Sequence, residues 1–198
     1  MAITTDQIKK LRDLTGAGMM DVKEALDESK GDTDAAVEIL RKKGAASAVK
    51  KSEREANEGW IGQYVHSNGK IGVIVELNCE TDFVARNEAF QELAKDLAMQ
   101  IAATDPLAVS PDDISEEAVE AEKQIALEQL KEEGKPENML EKIVEGKLDK
   151  FRNENSLMKQ EYIKDTEKKV EDLISEAVSK LGENISVSRF NRIEIGRD

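Results

Sequence analysis

The sequence predicts an α+β fold, with an N-terminal three-helix bundle followed by an antiparallel three-stranded sheet core with helices and a helical hairpin. Three observations predict it. The first 44 residues hold three short amphipathic segments parted by glycines, two β-prone runs flank an Asn68-Gly69 pair, and the C-terminal run alternates apolar with polar residues. With no repeated βαβ unit, the strands must pair antiparallel. The 198 residues suffice for a small unit at 1–52 and a larger one at 53–198.

In chain order, Ile8, Leu11 and Leu14 share a helical face behind a Thr4 or Thr5 cap, and Gly16-Ala17-Gly18 breaks that helix. Met19 to Ser29 repeats the pattern with Val22, Ala25 and Leu26. Asp32 caps a third helix carrying Val37, Ile39 and Leu40 up to Gly44. Residues 45–59, rich in Ala, Lys, Glu and Ser, suit a semi-rigid connector, which a helix could supply. Trp60 to His66 and Ile71 to Cys79 form a hairpin whose Asn-Gly pair favours a two-residue turn. A polar turn then leads into a helix bearing Phe90, Leu93, Ala94, Leu97 and Ile101.

Pro106 and Ser110-Pro111 mark a loop. Two acidic helices follow, Ser115 to Glu133 and Pro136 to about Arg152, forming a helical hairpin over 115–152 that turns at Gly134. Leu157 to Lys164 reads as irregular with one strand at most, and Thr166 to Leu181 as a helix closed by Gly182. Ile185, Val187, Arg189, Asn191, Ile193 and Ile195 make a last strand that joins the hairpin.

Composition narrows the function. The net charge of −13 is carried by residues 55–198, which hold 18 Lys/Arg against 32 Asp/Glu, while residues 1–54 hold 11 against 10. Such a field opposes phosphate backbones and anionic lipid, so neither a nucleic acid nor a membrane is an expected partner. The basic run Arg41-Lys42-Lys43 with Lys50, Lys51 and Arg54 lacks interleaved aromatics and reads as a solvated helix end. No apolar stretch is long enough to span a bilayer and the start lacks a signal-peptide pattern, so a cytoplasmic location is expected. One cysteine and one histidine exclude an internal disulfide and a Cys/His zinc site within the chain.

Carboxylates such as Glu116 and Glu120 pair at helical spacing but read as a solvated face, and Gly16-Ala17-Gly18 lacks the strand and lysine of a phosphate-binding loop. Neither an enzyme nor a cofactor is therefore expected. His66 reads as an exposed hairpin tip in preference to a partner contact, and Cys79 as a small buried residue. Met19-Met20 either close the bundle or stand out to grip a partner, with Arg12 one helix back. Phe83 is either a lid on the core or a projecting wedge, and local pattern alone leans to the lid.

Two long motifs decide the direction: Leu14-Thr15-Gly16-Ala17-Gly18-Met19-Met20-Asp21 with Lys23 and Ala25-Leu26, and Val75 through Arg86, read Val-Glu-Leu-Asn-Cys-Glu-Thr-Asp-Phe-Val-Ala-Arg. With Gly134-Lys135-Pro136, Val144-Glu145-Gly146-Lys147 and Leu181-Gly182-Glu183-Asn184-Ile185, the chain closely resembles the translation elongation factor Ts family, guanine nucleotide exchange factors for elongation factor Tu. The resemblance implies that the N-terminal bundle resembles ubiquitin-associated domains and grips the GTPase through Arg12, Met19 and Met20. It also implies that Thr81, Asp82, Phe83 and Val84 disturb the magnesium site of elongation factor Tu, Phe83 as the wedge. Longer members have two related halves where this chain has one module, so a homodimer engaging two GTPases is implied. His66 resembles a contact position in the second half of longer members. The rival reading is a non-catalytic helical adaptor acting through the N-terminal bundle alone.

Overall fold

A computed structural model of the chain describes residues 3–133 and 136–197. The N-terminal helices are α1 (Thr5–Thr15), α2 (Met19–Glu28) and α3 (Thr33–Lys51). Thr4 opens α1 with a reciprocal capping box to Gln7, and Gly16, at φ +66, closes it by donating its N–H to Arg12 O. Only a residue that tolerates positive φ ends a helix this tightly. Leu11, Ala17, Val22, Ala25, Leu26, Ala36 and Leu40 bury one another in a cluster of their own.

The third helix runs beyond the predicted stop at Gly44. The Ala-rich stretch after it has high helix propensity, and its face has somewhere to go: Gly44 and Ala48 lie against α8 (Val170–Leu181) and the main core. Most of the predicted connector is thus helix. Lys51 Nζ donates to Val178 O at 3.3 Å, and Arg41 Nη2 donates to Glu167 O at 3.4 Å, fastening the seam.

Strands β1 (Glu58–Val65), β2 (Ile71–Cys79) and β5 (Ser186–Glu194) form an antiparallel sheet in the order β1-β2-β5, so the last strand joins the hairpin through its central member. The hairpin loop has four residues, 67–70, where the Asn-Gly pair suggested two. Gly69, at φ +67, donates its N–H to His66 O, while His66 N–H reaches Ile71 O beyond the loop. One sheet face carries Val73, Val75, Leu77 and Cys79 against Phe90, Ala94, Leu97 and Ile101 of α5 (Glu88–Thr104) and Val170, Ile174 and Val178 of α8. The other face leaves Ile61, Val65, Ile74 and Ile193 exposed.

Helices α6 (Glu116–Glu132) and α7 (Glu137–Glu154) bury Ala126, Leu130 and Val144 between them as the predicted helical hairpin. Its predicted turn at Gly134 lies outside the described residues. The one strand allowed within 157–164 is present, whereas the predicted start of the next helix differs from expectation. Strand β3 (Glu161–Tyr162) pairs with β4 (Asp165–Lys169), so α8 begins at Val170 and not at Thr166. The apolar stripe that can bury a helix starts only at Val170, Ile174 and Val178; residues 165–169 offer charge and no stripe. The ribbon is pinned to α5 by Tyr162 Oη donating to Asp96 at 2.6 Å and by buried Gln100, whose amide serves Glu161 O and Ile163 N.

Candidate functional site

The turn at the end of β2 is built outward from a buried strand end. Cys79 is fully buried, and its thiol is held above the ordinary value by burial and by the nearby Glu183 carboxylate. Two residues on, Thr81 leaves the strand in extended geometry and caps the short helix α4 (Asp82–Ala85), its hydroxyl accepting from Val84 N–H at 3.4 Å. Ala85 turns into the core and Val84 packs against it, which leaves Phe83 on the opposite side at 82 % exposure. The lid that local pattern leaned toward is not formed, because a four-residue helix can bury only one side and the two small residues occupy it. Asp82 pairs with Arg86 one turn on at 3.0 Å, in solvent, where such a pair adds little stability.

A carboxylate from the far end of the chain holds this turn. Glu183 accepts from Glu80 N–H and Thr81 N–H, both at 3.0 Å, and from the Thr81 hydroxyl at 2.6 Å. The arrangement is reciprocal: the Glu80 carboxylate accepts from Asn184 N–H at 2.6 Å and from Arg54 at 3.3 Å, and the Asn184 side chain donates to Arg54 O at 2.7 Å. The Asn184 N–H and, after it, Arg54 hold the Glu80 carboxyl below its ordinary value. Sequence reasoning gave Arg54, Glu80, Glu183 and Asn184 no role at the turn, although Glu80, Glu183 and Asn184 stand within the motifs that carry the family resemblance and Arg54 within the basic run. The available signal was a polar Glu-Asn pair in the two-residue gap between a helix-ending glycine and an apolar strand.

The second group of exposed residues lies on the N-terminal helices. Gly18 precedes α2 without a side-chain cap, and Met19 and Met20 fill its first two positions at 57 % and 68 % exposure. Val22, Ala25 and Leu26 take the buried face, so the methionines do not close the bundle. Arg12 is exposed one helix back.

His66 is exposed beside Tyr64, whose hydroxyl lies 3.1 Å from Nδ1. The hairpin register pairs Glu58 with Cys79 and Val65 with Gly72, so His66 and Thr81 lie at opposite ends of β1 and β2. Strand rise between those two pairs is already roughly 23 Å, and His66 and Thr81 lie beyond them, so the fold does not bring the two together. Among the described residues no cluster of three or more His, Cys, Asp or Glu could hold a metal ion, and no helix is long and apolar enough to cross a membrane.

Comparison with known proteins agrees with this frame over almost the whole chain. The family model described as elongation factor TS matches residues 3–197. A protein of Thermotoga neapolitana named elongation factor Ts is 57 % identical over 198 residues, 100 % of both chains. Proteins of the same name from Thermosipho melanesiensis and Thermotoga maritima are 56 % and 58 % identical, covering 98 % and 99 % of this chain and 99 % and 98 % of their own. A match over nearly the full length of both chains, at this identity, shows the family: the chain belongs to the elongation factor Ts family.

Proposed function

We propose that the protein is a guanine nucleotide exchange factor for elongation factor Tu, acting by displacing magnesium from the GDP-bound GTPase with the Thr81–Val84 turn. Family membership supports the exchange role. The observation that carries the mechanism is Phe83, a large apolar side chain 82 % exposed on a turn held rigid from behind. An exposed aromatic on a fixed support has already met its ordering cost before it meets a partner. Nucleotide and magnesium together hold the switch loops of a GTPase, so a ligand that prefers their displaced arrangement weakens nucleotide binding by the factor with which nucleotide weakens its own. A coupling of ~4–6 kcal/mol corresponds to about 10³- to 10⁴-fold in nucleotide release when it falls on the off-rate.

In this reading residues 1–52, a bundle of the ubiquitin-associated kind, form the grip through Arg12, Met19 and Met20, and 53–198 form the core that carries the wedge. The reaction takes place in the cytoplasm, with no catalytic group of the protein's own. Because His66 sits at the opposite end of the hairpin from Phe83, it belongs to a second contact, made in a homodimer with the GTPase held by the other copy. The exposed Ile61, Val65, Ile74 and Ile193 on the outer sheet face favour that dimer, since a self-complementary apolar patch is what a two-fold interface needs.

The deciding experiment is release of labelled GDP from elongation factor Tu with wild type and Phe83→Ala. Loss of most of the stimulation supports the wedge, and full stimulation by a folded Phe83→Ala protein rejects it. The adaptor alternative is separated by truncation: it requires residues 1–52 alone to keep the whole affinity, whereas exchange requires the core as well.

A further inference from the structure

Glu183 lies 102 residues from Thr81 in the chain, yet spends both carboxylate oxygens on it and on its neighbour. We propose that Glu183 is the positioning residue of the exchange turn: it touches no partner and acts by fixing the direction in which Phe83 is presented. The proposal rests on the exchange reading and adds to it a residue on another element.

The case begins with what α4 cannot do alone. Four residues are below the length at which a helix sustains itself, so the turn must be held from outside. A carboxylate suits the task because it only accepts, and three donors converge on this one: two successive backbone N–H groups and one hydroxyl. The hydroxyl contact, at 2.6 Å, has the short length expected of a charged acceptor. Once the Thr81 hydroxyl points its hydrogen at Glu183, its lone pairs are left for Val84 N–H, the bond that caps α4. Glu183 therefore sets the cap, and the cap sets the side of the turn on which Phe83 stands. The reverse contact, Glu80 to Asn184 N–H, locks the Glu183 segment in the same register. A neutral amide at 183 can keep its oxygen on the two N–H groups, but it removes the charge and turns an N–H₂ group toward the Thr81 hydroxyl, which must then reverse that bond and lose its acceptor, so Glu183→Gln weakens the clamp at nearly constant volume.

The test is a kinetic double-mutant cycle on the full-length protein, using stimulated GDP release from elongation factor Tu with wild type, Glu183→Gln, Phe83→Ala and the double variant. A loosened wedge leaves the N-terminal grip intact, so Glu183→Gln should lower the maximal release rate by about 10-fold while shifting the half-saturating concentration by less than about 3-fold. In the Phe83→Ala background the same substitution should have no further effect on the rate. A raised half-saturating concentration with an unchanged maximal rate, the signature of a smaller folded fraction, overturns the proposal. So do additive effects of the two substitutions. Should Glu183→Gln fail to fold, Thr81→Val removes only the bridging hydroxyl and should lower the maximal rate in the same direction; an unchanged rate overturns the proposal. Should Phe83→Ala itself release GDP at the wild-type rate, the wedge reading falls and the positioning claim is decided by amide exchange. Faster exchange of the Thr81 and Val84 amides in Glu183→Gln supports it, and unchanged exchange overturns it.

Discussion

Gly62 of β1 lies so close to Ala94 of α5 that a Cβ at residue 62 would overlap the Ala94 carbonyl oxygen and stand 2.9 Å from the Ala94 Cβ. The obstacle is backbone, which cannot swing aside. We expect Gly62→Ala to cost roughly 1–3 kcal/mol in urea unfolding, with the helix forced off the sheet. Gly72 on the neighbouring strand has nothing within 4 Å of a built Cβ, and Gly72→Ala serves as the control with an unfolding midpoint near wild type. Equal losses at both positions would mean that the close approach to Ala94 does not set the cost.

Gly44 gives the opposite expectation. It sits inside α3, and a Cβ there would meet Ser175 O at 3.8 Å and Ser179 Cβ at 3.9 Å, ordinary contact distances. The helix therefore pays the conformational penalty of glycine without needing the space. Gly44→Ala should stabilise the protein by about 0.5–1 kcal/mol, read as a higher denaturant midpoint with an unchanged slope.

The Glu80 carboxyl lies below its ordinary value of 4.5 because the folded chain offers its charged form the Asn184 N–H and Arg54. The linkage runs in one direction: the contribution is fully present above 4.5 and is lost as pH falls through the lower folded value. Wild type should exceed Glu80→Gln in stability at neutral pH, and the gap should close in acid. Parallel stability curves down through that range would remove Glu80 from the clamp.

Cys79 is the sole thiol, fully buried and held above its ordinary value. Labelling by a disulfide reagent should be slow in the folded protein and should accelerate with denaturant in parallel with unfolding. Rapid labelling without denaturant would show that the end of β2 opens locally, together with the turn it supports.

On the outer sheet face, Ile74 stands at the centre of the exposed apolar set. If that face joins two copies, Ile74→Lys should convert a dimer to a monomer in sedimentation at micromolar concentration while the fold is retained. Wild-type protein sedimenting as a monomer would end the dimer reading.

The elements legible in the sequence were those that a local period or a punctuating residue defines. The three N-terminal helices, the hairpin and the last strand were all readable from apolar spacing and from Gly16, Asp32 and Gly69. Two errors share a physical origin: α3 runs on past Gly44 and β4 replaces the start of α8 because neighbours far along the chain determine both outcomes. Phe83 illustrates the limit at the site. Local pattern cannot tell a lid from a wedge, since the answer depends on whether Val84 and Ala85 fill the core first. The clamp was illegible for the same reason: Glu183 stands in a motif of the resemblance, but nothing local to it points to Thr81 until the fold sets the two together.

The separation of the clamp's two halves along the chain bears on how the turn is assembled. Glu183 stands 102 residues after Thr81, and the strand that follows it pairs with β2. Contacts of such long sequence separation form only after the intervening chain has folded back, so α4 gains its support late, whereas the N-terminal helices close through neighbours a few tens of residues apart. The turn that presents Phe83 therefore reports on the completion of the sheet: any loosening of β5 from β2 loosens it too.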